Sequence, residues 1–260
     1  MIRKFLITCI FLILTLTSGF SQQIKTYKPG EKLEYIIHYG IINGGTASLE
    51  INRDTLFRRE VWHSKMIART TGFTDALFRV VDIYESYIDP ATELPVKSIR
   101  NIREGRYRKY NEVLFDHKTR RDSAILTSDL TGVHITQPGI HDILSCFYHL
   151  RDNILPDSDL KKGEMITIMT WFTDELYPIR LRYLGIDEVK TRFGKIKCHK
   201  FNPVTETGRL FSTEEGVSFW FSADKNFLPV MIRFDIFVGS FTIELAEFEG
   251  LANQIDFKKK

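Results

Sequence analysis

The chain is poor in cysteine, with three in 260 residues, Cys9, Cys146 and Cys198. No CxxC pair occurs, which excludes a zinc ribbon or a thioredoxin-like redox motif. The sequence also lacks HExxH, a phosphate loop, a dinucleotide fingerprint and the G-x-S-x-G nucleophile elbow. No cofactor and no metal is therefore expected. A surplus of one charge is missing too, because 36 Lys and Arg face 33 Asp and Glu. Two of the net positive charges are Arg3 and Lys4, and Lys258, Lys259 and Lys260 are three more, which leaves the body at about −2. A nucleic-acid binder concentrates basic residues on its fold. The nearest candidate run, Arg106 to Lys109, alternates with an aromatic residue as an exposed strand does, so no nucleic-acid partner is expected. Long apolar runs are absent after Phe5 to Leu16, and that run falls short of the ~20 residues a spanning helix needs.

That single run has a function of its own. Arg3 and Lys4 precede it, and the small-residue stretch ending at Gly19-Phe20-Ser21 follows it, before Gln22-Gln23. Positive start, short apolar core and small residues are the pattern of a cleaved signal peptide over residues 1–21. Cys9 lies inside the apolar core and not at the cleavage point, so a lipid anchor is not expected. The mature chain is expected to be periplasmic or secreted and to contain no transmembrane segment.

What remains is rich in aromatics, with 20 Phe and 10 Tyr, and alternates with period two. Leu33, Tyr35, Ile37 and Tyr39 share one face of a strand, and Ala47, Leu49 and Ile51 one face of the next. Gly40 to Gly45 supplies the turn between them. Trp62, Met66 and Ala68 mark a third strand, and Val81 to Asp89 a fourth. Further strands run over Val96–Ile102, Tyr107–Phe115 and Ser123–Thr127. Val217, Phe219 and Phe221, then Val230, Ile232, Phe234, Ile236 and Val238, then Phe241, Ile243 and Leu245 read as central strands. The fold class is mainly β, an antiparallel curved sheet or incomplete barrel, in one domain over residues 22–252. The aperiodic tail 253–260 is expected to fray.

One segment breaks the alternation. Ile143, Leu144, Phe147, Leu150 and Ile154 recur at helical spacing, with Asp142 and Arg151 placed to complement the helix dipole. A central helix is expected over 141–152, its apolar face on the sheet and its polar face toward solvent. After it the pattern restarts. Gly163-Glu164 repeats Gly30-Glu31 at an offset of 133, and Leu228-Pro229-Val230 repeats Leu94-Pro95-Val96 at an offset of 134. Two similar half-units, 30–128 and 163–250, would explain both offsets, although β proteins also reuse short turn strings.

Two groups of residues could carry chemistry. His141, Asp142, Ser145 and His149 form the only dense polar cluster and invite a hydrolase reading. On a continuous helix rising ~1.5 Å per residue, His141 and His149 lie about 12 Å apart and cannot share a metal or proton. The competing reading is the wet face of an amphipathic helix. The second group is apolar: Phe73, Leu77 and Phe78 in the segment Thr70–Val80, with Trp171, Phe172 and Tyr177 in a later hairpin. Such residues plug the end of a sheet or line a ligand mouth. Cys146 and Cys198 could form a disulfide outside the cytoplasm, provided that their α-carbons come within about 7 Å.

The ordered motifs resemble an exported-protein family known as domain of unknown function 3108. They are Gly30-Glu31-x-Leu33-x-Tyr35, Gly45-x-Ala47, Tyr84-Glu85-Ser86 and Leu94-Pro95-Val96. Asp142-x-Leu144-Ser145 and Tyr148-x-Leu150-Arg151 follow, then Thr191-x-x-Gly194 with Cys198. Trp220-x-Ser222-x-Asp224, Pro229-Val230 and Gly239-Ser240 complete the set. The resemblance implies an antiparallel β protein of the bacterial envelope, with no established activity. It also suggests a likeness to incomplete barrels that hold acyl chains. On these grounds the leading expectation is non-catalytic binding of an apolar or lipid-like ligand or an envelope component. A structural partner in an envelope complex, which an exposed edge near Phe241 to Leu245 would favour, and a hydrolase are the alternatives.

Overall fold

The computed structural model describes residues 25–156, 159–204, 216–235 and 239–257. The expected signal segment 1–21 and Lys258 to Lys260 lie outside them. The alternating segments form the strands β1 (Glu31–Tyr39), β2 (Ile42–Leu56), β3 (Arg59–Thr70), β4 (Val81–Ile88), β5 (Pro95–Glu104), β6 (Tyr107–Asp116), β7 (Ala124–Ser128) and β8 (Gly132–Thr136). A second run contains β9 (Met165–Phe172), β10 (Glu175–Thr191), β11 (Gly194–Pro203), β12 (Val217–Ser222), β13 (Pro229–Asp235) and β14 (Ser240–Glu249). Together they make one antiparallel sheet of 14 strands in the order β8-β7-β6-β5-β4-β3-β2-β1-β14-β13-β12-β11-β10-β9. The ranges 30–128 and 163–250 coincide with β1–β7 and β9–β14.

The sheet curves because its ladders are interrupted. Register shifts at Glu34/Tyr35, Ile37/His38, Tyr183/Gly185 and Trp220/Phe221 each add a residue on one side, which bends the strand and increases its twist. At the third of these Gly185 takes φ +103°, a conformation open to glycine at little cost. The outer strands β8 and β9 do not pair with each other. The extended residues before the helix cover β9: the His141 N–H donates to the Met169 carbonyl, 3.0 Å, and the Trp171 N–H to the His141 carbonyl, 2.7 Å. Val113, Phe115 and Leu126 from β6 and β7 pack with Ile140 and Trp171 across the gap. The result is an incomplete barrel. β14 lies between β1 and β13, so the edge looked for at Phe241–Leu245 is paired on both sides.

A helix fills the concavity. It comprises α2 (Ile143–His149), continued by one π-helical turn, Leu150–Ile154; a short α1 (Gly72–Leu77) sits between β3 and β4. Leu144 and Tyr148 join Leu33, Tyr35, Ile51 and Leu245 in one core cluster, and Cys146 and Leu150 join Ile166, Leu181 and Phe201 in another. The helix expected over 141–152 thus begins two residues later, and its polar side is not solvated. Enclosure by the curved sheet buries both faces. Cys146 and Cys198 are both buried free thiols in separate clusters, so the disulfide that was possible between them is not formed. The tail is ordered through residue 257. Ile255 and Phe257 pack on the core, and the Asn253 side chain donates to the Lys25 carbonyl at 2.9 Å. Its missing period had hidden these contacts.

Candidate functional site

The buried polar side of α2 is the densest chemistry in the molecule. Asp142 caps the helix: its Oδ1 accepts the N–H groups of Leu144 and Ser145 at 2.8 and 2.9 Å. The Ser145 hydroxyl in turn accepts the Asp142 N–H at 3.0 Å, which completes a capping box. Ser86 of β4 donates to Asp142 Oδ2 at 2.5 Å. Burial, only partly offset by these bonds, pushes the Asp142 carboxyl up from 3.8 to about 6. His141 lies 3.3 Å from the Ser145 hydroxyl through Nδ1, and burial, then the nearby His149, hold its imidazole down to about 3. The two imidazole rings are 4.5 Å apart between centroids. The expected separation of about 12 Å fails because His141 precedes the helix, in the extended residues that pair with β9. Ser145 is wholly buried and its hydroxyl serves the cap. This arrangement builds a helix start, and it does not present a nucleophile to a substrate.

The other end of the helix is tied by ions. Arg151, 0% exposed, donates to both oxygens of the buried Glu31 carboxylate, 2.6 and 3.0 Å, and to the Asn226 carbonyl, 2.9 Å. Asp152 accepts from Lys25 at 2.5 Å and from the Thr26 N–H at 2.7 Å, while Glu93 bonds Lys25 and Asn153. Burial raises the Asp152 carboxyl, but Lys25 and Thr26 outweigh it and leave the pKa lowered. Burial dominates at Glu93, which is raised. Every charge in this knot has a partner. It joins the first residues described, the β4–β5 turn, the π turn and the β12–β13 turn.

The apolar candidates do not converge. Trp171 is buried and Phe172 lies under the Arg100 guanidinium, 4.9 Å from ring centroid. Both line a cavity of about 30 Å³ between β4, β5, β6, β9 and the helix start. Tyr177 is exposed on β10. Phe73 and Leu77 project from α1 into solvent, 77% and 71% exposed, and Phe78 follows them; none of the three lines that cavity. With three side-chain clusters filling the concavity, 30 Å³ is far below the ~300–1,000 Å³ of ordinary ligand pockets.

Phe73, Leu77 and Phe78 belong instead to a rim. The start of β14, the β1–β2 turn, α1 and the β5–β6 turn are neighbours at one end of the sheet. The Gly40 N–H approaches the Ser240 carbonyl, the Thr71 N–H donates to the Gly44 carbonyl, and the Gly105 N–H donates to the Arg79 carbonyl. Gly105, at φ +53°, leaves no room for a side chain against the Phe78 ring, which lies 2.6 Å from where a Cβ would stand. Ile41, Ile42, Phe73, Leu77, Phe78, Tyr107 and Phe241 are all exposed along this rim. Arg69, Arg79, Arg103, Arg106 and Arg108 are exposed among them. Among the described residues none of these five guanidinium groups is paired with a carboxylate. Asp75, Asp82 and Glu104 are the nearby acids, and the first two are engaged by Thr70 and the Arg103 N–H.

A family model described as "Protein of unknown function (DUF3108)" matches residues 34–246. The chain belongs to this family. No curated protein matches it. Among solved structures, this DUF3108 chain is similar to a β-barrel-like protein of the domain-of-unknown-function family DUF1849 from Brucella abortus. The likeness has a TM-score of 0.55 at 9% identity, over 84% of this chain and 96% of that one. It supports the incomplete-barrel fold and nothing finer. A DUF1089 family protein from Pseudomonas aeruginosa aligns over 78% of this chain and 90% of its own, at 11% identity and a TM-score of 0.33. Among the described residues no helix is long and apolar enough to cross a membrane, and no group of three metal-ligating side chains occurs.

Sequence reasoning missed the Arg151–Glu31 pair and the basic part of the rim. Glu31 shares the inward parity of Leu33 and Tyr35, and Arg151 follows Leu144 and Tyr148 at positions i+7 and i+3. Those two periods were the available signal. The rim's signal was partial: Phe73, Leu77 and Phe78 and the run Arg106 to Lys109 were legible separately, but not that the fold brings them together with Arg69, Arg79 and Arg103.

Proposed function

We propose that this DUF3108 chain is an exported, non-catalytic protein of the bacterial envelope that docks through its apolar–basic rim onto an anionic membrane surface. The signal-like segment Met1 to Ser21 supports export. The docking reading is carried by one observation, the seven exposed apolar side chains on the β1–β2 turn, α1, the β5–β6 turn and the start of β14, interleaved with five arginines that pair with no carboxylate among the described residues. Single exposed apolar residues are ordinary, but a contiguous patch marks an interaction site. Apolar insertion with nearby cationic groups suits an anionic bilayer surface, where each Arg contributes about 1 kcal/mol. On this reading the lipid is met at the rim, because the interior is occupied by the protein's own side chains.

The test is co-sedimentation of the exported chain with phosphatidylglycerol-containing vesicles and with phosphatidylcholine vesicles. Binding to the former that weakens with salt is the expected result. Phe73→Ser with Leu77→Ser should abolish it, and Arg79→Glu should weaken it at least about fivefold, with thermal midpoints unchanged because these side chains are exposed. Equal sedimentation with both vesicle types, or rim variants that bind as well as the parent, would overturn the proposal. A second reading, an envelope protein partner, draws on the edge strand β8, where Val133 and Ile135 are exposed and unpaired backbone is a template for strand addition.

A further inference from the structure

We infer that the cavity where the sheet nearly closes is a binding site for a small monovalent anion, a halide or a carboxylate group, held by Arg100 and Trp171. This inference is independent of the membrane reading. Arg100 comes from β5 and Trp171 from β9, strands far apart in the sheet order that meet only where the barrel nearly closes. The Nε and Nη1 atoms of Arg100 are buried and meet no protein acceptor, and neither does Nε1 of the buried Trp171. All three donors belong to side chains lining the same cavity. Buried donors are nearly always satisfied, and a guanidinium is permanently charged.

The surroundings fix the site and its size. The Phe172 and Tyr84 rings lie 4.9 and 6.0 Å from the guanidinium carbon, and the Tyr84 hydroxyl is hydrogen-bonded to the Arg100 side chain, which leaves Nε and Nη1 without an acceptor. A volume of about 30 Å³ holds roughly two water-sized groups, enough for one halide or one carboxylate head. The acids nearby have their own partners: Glu85 bonds His63 at 2.7 Å, and Asp142 is held by Ser86 and the helix N–H groups. Asn111 is likewise engaged, donating to Ser128, Asp129 and Asp174. Among the described residues, the buried donors of the cavity left without an acceptor are thus those of Arg100 and Trp171. An anion there would link β5 to β9 and stabilise the closure of the sheet.

The three tryptophan indoles make the test direct. In ¹H–¹⁵N spectra of the exported chain, the Trp171 indole, assigned with Trp171→Phe, should shift saturably with sodium chloride or sodium formate. Trp220, whose indole N–H already donates to Asp187 at 3.0 Å, is the internal reference. The salt that saturates at lower concentration distinguishes a free halide from a carboxylate. Sodium sulfate at equal ionic strength should leave the Trp171 indole unmoved, and Arg100→Gln should weaken the response at least tenfold. A shift that follows ionic strength in all three salts, or one that survives Arg100→Gln, overturns the inference. Should that variant not fold, bromide-soaked crystals of the parent decide. An anomalous peak within hydrogen-bond distance of Trp171 Nε1 supports the site, and water alone at that position refutes it.

Discussion

Asp142 shows how far a single residue's role depends on what encloses it. From sequence it is a first-turn acid complementing the helix dipole, on a wet face; its place at the helix start is correct, and its role there is the N-cap. Its burial is not legible, because helical periodicity identifies the more apolar face and cannot report whether a second wall covers the other. Enclosure changes the sign of its effect on stability. A carboxyl raised from 3.8 to about 6 in the folded state binds its proton more tightly folded than unfolded. Its contribution is therefore fully present below about pH 4 and lost as pH rises through about 6. At 1.36 kcal/mol per pKa unit, the loss is about 3 kcal/mol. Asp142→Asn keeps an acceptor for the Leu144 and Ser145 N–H groups and cannot ionise. Urea unfolding of parent and variant between pH 4 and 7 should show the parent losing stability relative to Asp142→Asn across that window. A constant difference would mean that Asp142 is not buried as described. Arg151 teaches the same lesson: its place in the last turn was legible, while its partner Glu31, 120 residues earlier, required two periodicities to be combined.

The strands were the most legible elements, because period two survives in the burial of β1, β6 and β7 and each half-buried face announces itself. Turns were legible only where they carry turn residues. Gly40 begins the first hairpin as expected, yet the turn is two residues long and Ile42 to Gly45 already belong to β2. The β2–β3 turn gave no signal at all. It is made by Phe57 and Arg58, both left-handed at φ 51° and 63°, where hairpins favour Asn-Gly. Left-handed backbone costs an L-residue with a bulky side chain roughly 1 kcal/mol or more, and Phe57 is exposed, so no burial offsets that cost. Phe57→Asn with Arg58→Gly should raise stability by about 1 kcal/mol, read as a higher urea midpoint with an unchanged slope. A lowered midpoint would show that the native turn is not strained. Thr173 and Asp174 share this backbone, but Asp174 accepts a bond from Asn111, so the same exchange there should bring less.

At the scale of the whole molecule the two ends of the sheet do different work. One end carries the ionic knot that ties Lys25, Glu31, Glu93 and Asn226 to the helix, and the described C-terminal residues close it. Asn253 accepts no role from its sequence pattern, yet its N–H donates to Asn226 at 2.9 Å and its side chain to the carbonyls of Lys25 and Lys225. Phe257 packs edge-on against Phe248 and near Phe193. The opposite end is the apolar–basic rim, which touches none of this. Stability and docking should therefore be separable by position. Asn253→Ala with Phe257→Ala removes the two hydrogen bonds of the Asn253 side chain, worth about 1 kcal/mol each when they are well formed, and a partly buried ring worth a further ~1–2 kcal/mol. Allowing for relaxation, a loss of about 3 kcal/mol in urea unfolding is expected, with vesicle binding unchanged below the unfolding midpoint. The rim variants Phe73→Ser and Leu77→Ser should show the reverse, full stability without binding. If the Asn253/Phe257 variant unfolded at the parent's midpoint, the C-terminal residues would not be closing the sheet. If it lost vesicle binding while folded, the two ends would be coupled, and docking could not be assigned to the rim alone.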